Sequence, residues 1–311
     1  MQLDILIRHV SLSAPRLPAL ERLLAVAKSV TFNGGADVWA CRAFGVKQQQ
    51  DLPIAPFAAK SDGLESSDAY WLCATPVNLQ VTRDSLVLAE DALNLSMDEA
   101  QALKSSLTRH FTELDFFVPH PQRWYLRFKE PPAITTTVLE QARRRDVSQL
   151  MPQGDDAKIW RRAMNEMQML MHAHPVNEAR EQAGKLTANS LWLWGGGAMS
   201  TVISPYTVVL SDDVFLSGLA GVSAQALPAS WTEMNAECTL MVLDAQHGWE
   251  TLEQRWFAPL VQALEARRIC NLRICLAEVD KVHVFCIKRR DLWKFWRRTK
   301  PLDDYLNTPL S

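Results

Sequence analysis

The hydrophobic pattern changes character half-way along the chain. Residues 3–10 alternate as an opening strand, and the leucines of residues 15–28 recur at helical spacing. Asn33, Gly34 and Gly35 mark a turn. The polar, proline-containing stretch 47–67, with Gln48, Gln49, Gln50, Ser66 and Ser67, reads as a mobile surface loop. Residues 69–74 make an apolar, aromatic strand that Thr75 and Pro76 stop, and residues 79–88 make a hairpin about Thr82, Arg83 and Asp84. Ser96, with Glu99 three residues on, is a capping box for a helix running to about residue 112. Residues 115–118 and 124–128 are strands around Pro119, His120 and Pro121, and residues 131–146 turn helical in their later part.

Beyond residue 150 the alternation is more regular. A break at residues 151–155 precedes a helix that Asp155 or Asp156 caps. That helix carries Trp160, Met164, Met167, Met169, Leu170 and Met171, enough apolar side chains to bury most of its circumference. His174 and Pro175 end it, and residues 177–184 form a polar helical turn closed by glycine. Strand 207–210, helix 214–223, strand 239–243 and helix 249–267 follow. A hairpin of 272–278 and 283–287 over Asp280 and Lys281 comes next, then a short helix 291–298. Strands separated by helices argue for parallel pairing in this half. The expected fold is α/β: a central mixed, partly parallel sheet with flanking helices. A mixed α+β part, 1–150, precedes an α/β part, 151–311, and the two can still form one continuous globular unit.

The most specific stretch is Asn189 to Gly197, two indoles (Trp192, Trp194) in a short apolar run closed by Gly195, Gly196 and Gly197. The run is too short for a helix and reads as a buried strand. If it belongs to an open α/β sheet, ligands sit beyond its carboxyl end, where glycines admit positive φ and bare N–H groups to an anion. The plain alternative is a tight turn, since neither G-x-x-x-x-G-K-[ST] nor G-x-G-x-x-G is present.

Composition narrows the function classes. With 311 residues, 48% of them hydrophobic, the chain can bury a sizeable core. A net charge of −2 supplies no general basic field, so nucleic acid is not an expected partner. Six cysteines form no C-x-x-C and read as free thiols of a reducing cytoplasm. No signal peptide and no membrane span is expected.

His174, Pro175, Asn177 and Arg180, then Gly184, Ala188, Asn189 and Gly195, resemble a segment of the archaeal-type cofactor-independent phosphoglycerate mutases. Residues 71–79, 165–169 and 291–298 further resemble the RpfE-type regulatory proteins of bacteria, and that likeness covers most of the chain. The mutase resemblance implies an alkaline-phosphatase-like core, a serine nucleophile and two divalent metals (Mn or Mg) held by aspartates and histidines. It also implies that Asn177, Arg180, Asn189 and Gly195–Gly197 are structural or line an anion pocket. The chain departs from that pattern: it has no Asp-Gly turn near its start and no Asp-His pair. The remaining candidate ligands are Asp212, Asp213, Asp244 and His247, and either aspartate of the first pair can instead cap the helix after it. Arg143, Arg144 and Arg145 read as a solvated charge run, and no G-x-S-x-G elbow exists.

Near the end, Arg289, Arg290, Trp293, Trp296, Arg297 and Arg298 concentrate charge and aromatics. Leu292, Phe295 and Trp296 share a helical face and are expected to pack on the sheet while the cations stay wet. The alternatives are that Trp293, Phe295 and Trp296 stack on bases, a nucleic-acid-binding reading that predicts a steep salt dependence, or dock at a membrane interface. Two functions emerge. The first is a non-catalytic regulatory or interaction protein, a pseudoenzyme on a degenerate mutase-like scaffold, with no cofactor and with a protein partner or small phosphorylated ligand. The second is a metal-dependent phosphoryl-transfer enzyme acting on a small phosphorylated acid.

Overall fold

A computed structural model describes residues 1–10, 14–66, 68–82, 85–89, 93–143, 145–232, 237–294 and 296–307. Ser67, the Arg83 and Asp84 turn, Arg144 and Phe295 lie outside the described residues. The strands, in chain order, are Gln2–Arg8 (β1), Lys28–Asn33 (β2), Tyr70–Val77 (β3), Leu79–Val81 (β4), Leu86–Leu88 (β5), Asp115–His120 (β6), Arg123–Phe128 (β7), Ser190–Ala198 (β8), Val208–Leu210 (β9), Ala224–Gln225 (β10), Cys238–Asp244 (β11), Asn271–Ala277 (β12) and Lys281–Lys288 (β13). The helices are Pro18–Val26 (α1), Ala36–Ala43 (α2), Ile54–Ser61 (α3), Met97–His110 (α4), Leu139–Ala142 (α5), Ala157–His172 (α6), Pro175–Gln182 (α7), Val214–Ala220 (α8), Trp249–Leu252 (α9), Ala258–Glu265 (α10) and Leu302–Asn307 (α11).

Two compact units form, one from Met1–Val46 with Val202–Ser311 and the other from Lys47–Thr201. The division expected near residue 150 falls inside the second. The first unit holds a seven-stranded mixed sheet in the order β10-β9-β11-β1-β12-β13-β2. β1 lies parallel to both β11 and β12, which is the mixed, partly parallel α/β sheet that the spacing called for. One face buries Leu3, Ile5, Ile7, Ile274 and Leu276 against α1 and the helical stretch that includes Trp256, Phe257 and Leu260. Period-two apolar residues from adjacent strands thus build one continuous core.

The second unit holds an antiparallel sheet, β6-β7-β3-β8, beside the β4–β5 hairpin. Its core joins Leu72, Trp124, Leu126, Leu191 and Leu193 to α4 and α6. Three sequence expectations change here. The stretch 47–67 is not a loop throughout: α3 buries every residue from Ile54 to Ala59. Pro56 sits in its first turn, where its missing N–H removes no helical bond. β3 continues through Pro76, paired with Leu191, because β7 pairs only with Tyr70–Cys73 and leaves that flank of the strand without a ladder to break. α6 is not buried all round: Trp160, Met164, Met167 and Met171 form one buried stripe, whereas Ile159 and Met169 are exposed.

The helix expected over 131–146 shrinks to α5, and that over 291–298 to a 3-10 turn, Arg289–Trp293. Among the described residues, no helix is long and apolar enough to cross a membrane.

Candidate functional site

The carboxyl ends of β1, β9 and β11 bring together the first unit's densest charge cluster. This is where an open α/β sheet offers side chains to a ligand. Arg8 ends β1 and lies in register with Asp244, the last residue of β11. Its Nη1 donates to Asp37 Oδ1 at 2.7 Å and lies 3.4 Å from Asp213 Oδ2. Asp37 stands in the first turn of α2, after a tight turn in which a Cβ on Gly35 would lie 2.6 Å from the Val279 carbonyl. Asp213 caps α8, its Oδ1 accepting from Leu216 N–H at 2.9 Å. Arg8 and Asp37 are nearly buried, and a buried charge is tolerated only where it is paired.

His9 adopts φ +54°, the left-handed region that a non-glycine rarely occupies. From there its Nδ1 meets Asp244 Oδ2 at 3.0 Å. Burial works against charge on Asp244. The His9 hydrogen bond, the Gln246 N–H and the neighbouring imidazoles of His9 and His247 outweigh it and hold this carboxyl below its ordinary value. Asp244→Asn is therefore expected to cost about 1 kcal/mol at neutral pH by urea unfolding. A depressed pKa stabilises above the unfolded value of about 3.9, so the gap between variant and parent should close as pH falls below it.

The four metal candidates do not converge. Asp212 is exposed and accepts from Leu227 N–H at 3.1 Å, Asp213 is the helix cap beside Arg8, Asp244 faces His9, and His247 is exposed in the turn Ala245–His247. Among the described residues, no three His, Cys, Asp or Glu side chains form a group that could hold a metal ion. The donor set does not fit a two-metal centre, since Asp212 accepts from Leu227 N–H, Asp213 faces the Arg8 guanidinium and Asp244 is hydrogen-bonded to His9. Arg8, His9 and Asp37 escaped the sequence reading. The signal was present, as two cationic side chain types at the end of an apolar strand.

The mutase-like segment lies in the second unit and is engaged internally. Asn177 donates to the carbonyls of Met171 (2.7 Å) and Ala188 (2.9 Å) and accepts from Ala188 N–H at 3.0 Å. Asn189 forms a strand-like pair with the backbone of Leu79. Arg180, only 2% exposed, donates to the Leu186 carbonyl at 2.8 Å, to the Leu93 carbonyl, and to both Glu99 oxygens at 3.0 Å. Of the two expectations for these residues, the hydrogen bonds fit the structural one.

Gly195, Gly196 and Gly197 are not a turn beyond a strand but part of β8 itself. Gly195, at φ +67°, sits at the β-bulge where the β3 register shifts. Gly197 lets Pro53 approach so closely that a Cβ would lie 2.8 Å from Pro53 Cα. Gly195 and Gly197 thus serve the packing of Pro53 and α3 on β8, whereas Gly196 makes room for Tyr70 and Leu72 of β3.

Near the end of the chain the expected packing fails for Trp296, and Phe295 lies outside the described residues. Leu292 is half-buried on the core, while Trp293 and Trp296 are 73% and 67% exposed, as are Arg290, Arg297 and Arg298 for the most part. Arg289 is half-buried.

No family model matches the chain. The 2,3-bisphosphoglycerate-independent phosphoglycerate mutase of Methanosarcina mazei is 28% identical over 207 residues, 60% of this chain and 49% of that one. Its counterpart in Methanosarcina acetivorans is 29% identical over 211 residues, again 60% and 49%. The chain is thus homologous, at low identity, to these mutases, and spans about half their length. Among solved structures, a cofactor-independent phosphoglycerate mutase from Thermoplasma acidophilum aligns over 100% of this chain and 96% of its own, with TM-score 0.46 and 15% identity. A protein from Pyrococcus horikoshii aligns over 92% and 87%, with TM-score 0.48 and 14% identity.

Proposed function

We propose that this chain is a non-catalytic regulatory or interaction protein on a degenerate alkaline-phosphatase-like scaffold related to the phosphoglycerate mutases. The observation that carries this reading is Arg8, a permanent cation at the end of β1 whose Nη1 lies 2.7 Å from Asp37 and 3.4 Å from Asp213. A divalent ion and a guanidinium compete for the same carboxylates, and Arg8 is held beside Asp37 and Asp213 by the central strand. The engagement of Asn177, Arg180 and Asn189 with the fold's own backbone supports the same reading. The likeness of residues 71–79, 165–169 and 291–298 to bacterial RpfE-type regulatory proteins fits it, and the cytoplasm suits its cysteines, which form no disulfide among the described residues. Its partner is a protein or a small phosphorylated molecule.

A second reading, phosphoryl transfer on a small phosphorylated acid with Mn or Mg at Asp212, Asp213, Asp244 and His247, is favoured by the names of the relatives and by the His9–Asp244 pair. That pair has the shape of an oriented base. The deciding experiment is interconversion of 2- and 3-phosphoglycerate by purified protein with Mn or Mg. The expected result is no turnover above the protein-free rate. Robust turnover lost in Asp244→Asn would establish the second reading instead.

A further inference from the structure

The exposed tryptophans at the end of the first unit's sheet have no role in either function. β13 leads into the turn Arg289–Trp293, and Asp291 fixes that turn in place. Its carboxylate accepts from Lys288 N–H at 2.8 Å and pairs with Lys294 Nζ at 2.7 Å. Burial opposes its charge, but Lys294, the Lys288 N–H and Arg290 hold its carboxyl below the usual range. Leu292 roots the turn on the core. Asp291 and Lys294 thus neutralise one another, leaving Lys288, Arg290, Arg297, Arg298 and Lys300 exposed around two exposed indoles.

An exposed large aromatic is informative where a scattered leucine is not. Two within four residues, ringed by cations, combine an apolar body that prefers an interface with charges that prefer phosphate. Residues 288–300 hold seven of the chain's 33 Lys and Arg but one of its 35 Asp and Glu, so the remainder has 26 cations against 34 acids. Attraction to an anionic surface therefore belongs to this segment and not to the rest of the chain, which is net acidic. At physiological ionic strength a screening length of about 8 Å lets the patch act alone.

We propose that residues 288–300 form a reversible docking surface for an anionic lipid bilayer. Trp293 and Trp296 enter the headgroup region, and Arg290, Arg297 and Arg298 face lipid phosphates. This is peripheral attachment, and it stands whether or not the scaffold is catalytic.

The test is co-sedimentation of the full chain with phosphatidylglycerol–phosphatidylcholine vesicles and with phosphatidylcholine vesicles alone. Binding to the anionic vesicles is expected, with a blue shift of tryptophan emission and a loss as salt rises. Each of Arg297→Ser and Arg298→Ser should weaken partitioning by roughly five-fold. The double variant Trp293→Ser, Trp296→Ser, checked for an unchanged thermal melt, should lose at least about ten-fold. No binding to anionic vesicles, or binding undiminished in the double variant, would overturn the proposal. So would tighter binding of a single-stranded oligonucleotide or an acidic polypeptide through the same tryptophans.

Discussion

Arg180→Met is expected to lower the unfolding free energy by about 4 kcal/mol in urea titration, the range for breaking a buried, hydrogen-bonded ion pair. The guanidinium joins three places: the Glu99 carboxylate at the start of α4, the Leu93 carbonyl before it, and the Leu186 carbonyl after α7. Met fills the volume but leaves both carbonyls without that donor in a site that is 2% exposed. Glu99 itself is held below its ordinary pKa: burial opposes its charge, but the Ser96 N–H and Arg180 prevail. The Arg180 contribution should therefore be complete above about pH 4, the unfolded carboxylate value, and fade as pH falls through the lower folded value. A loss under about 1 kcal/mol would mean that Arg180 is not a structural clamp and is available to a ligand.

Gly197→Ala should cost about 3 kcal/mol, the upper end of overpacking, because the neighbour that must give way is backbone. The new methyl would stand 2.8 Å from Pro53 Cα and closer still to Pro53 Cβ. Pro53 precedes α3 and cannot shift without moving a helix that is buried from Ile54 to Ala59. Gly184→Ala is the control in the same unit: its φ is +67° but nothing lies within 4 Å of the added carbon, so about 1 kcal/mol of backbone strain is all that is expected. Equal losses at the two sites would contradict the reading of Gly197 as a close-approach glycine.

Features set by local chemistry were legible in the sequence. The Ser96–Glu99 capping box forms as written, and the β12–β13 hairpin falls where its turn residues put it. The mixed sheet with parallel pairs of the first unit follows from alternating strand and helix patterns. Features set by tertiary context were not. α3 hides six apolar residues between polar flanks, and composition read over the whole stretch drowned them. Pro76 looks like a stop until one sees that its strand is paired on one side there.

The site shows the same division. The mutase-like residues were legible as a motif, yet their role depends on which donors the fold leaves over, and it leaves few. Arg8 and His9 were in plain view after the first strand. What made them functional candidates was the arrival of Asp37, Asp213 and Asp244 from 29 to 235 residues away, which no local pattern announces. Trp296 erred in the other direction: helical periodicity promised burial, and the turn Arg289–Trp293 ends before it.

Whether Arg8 has taken the place of a metal is open to one direct measurement: calorimetric titration of Mn2+ into the parent protein and into Arg8→Ala at pH 7. The expected outcome is no saturable heat with the parent, and binding only once the guanidinium is gone from beside Asp37 and Asp213. Saturable micromolar binding by the parent, abolished in Asp213→Asn, would show that the carboxylates were never closed to a divalent ion.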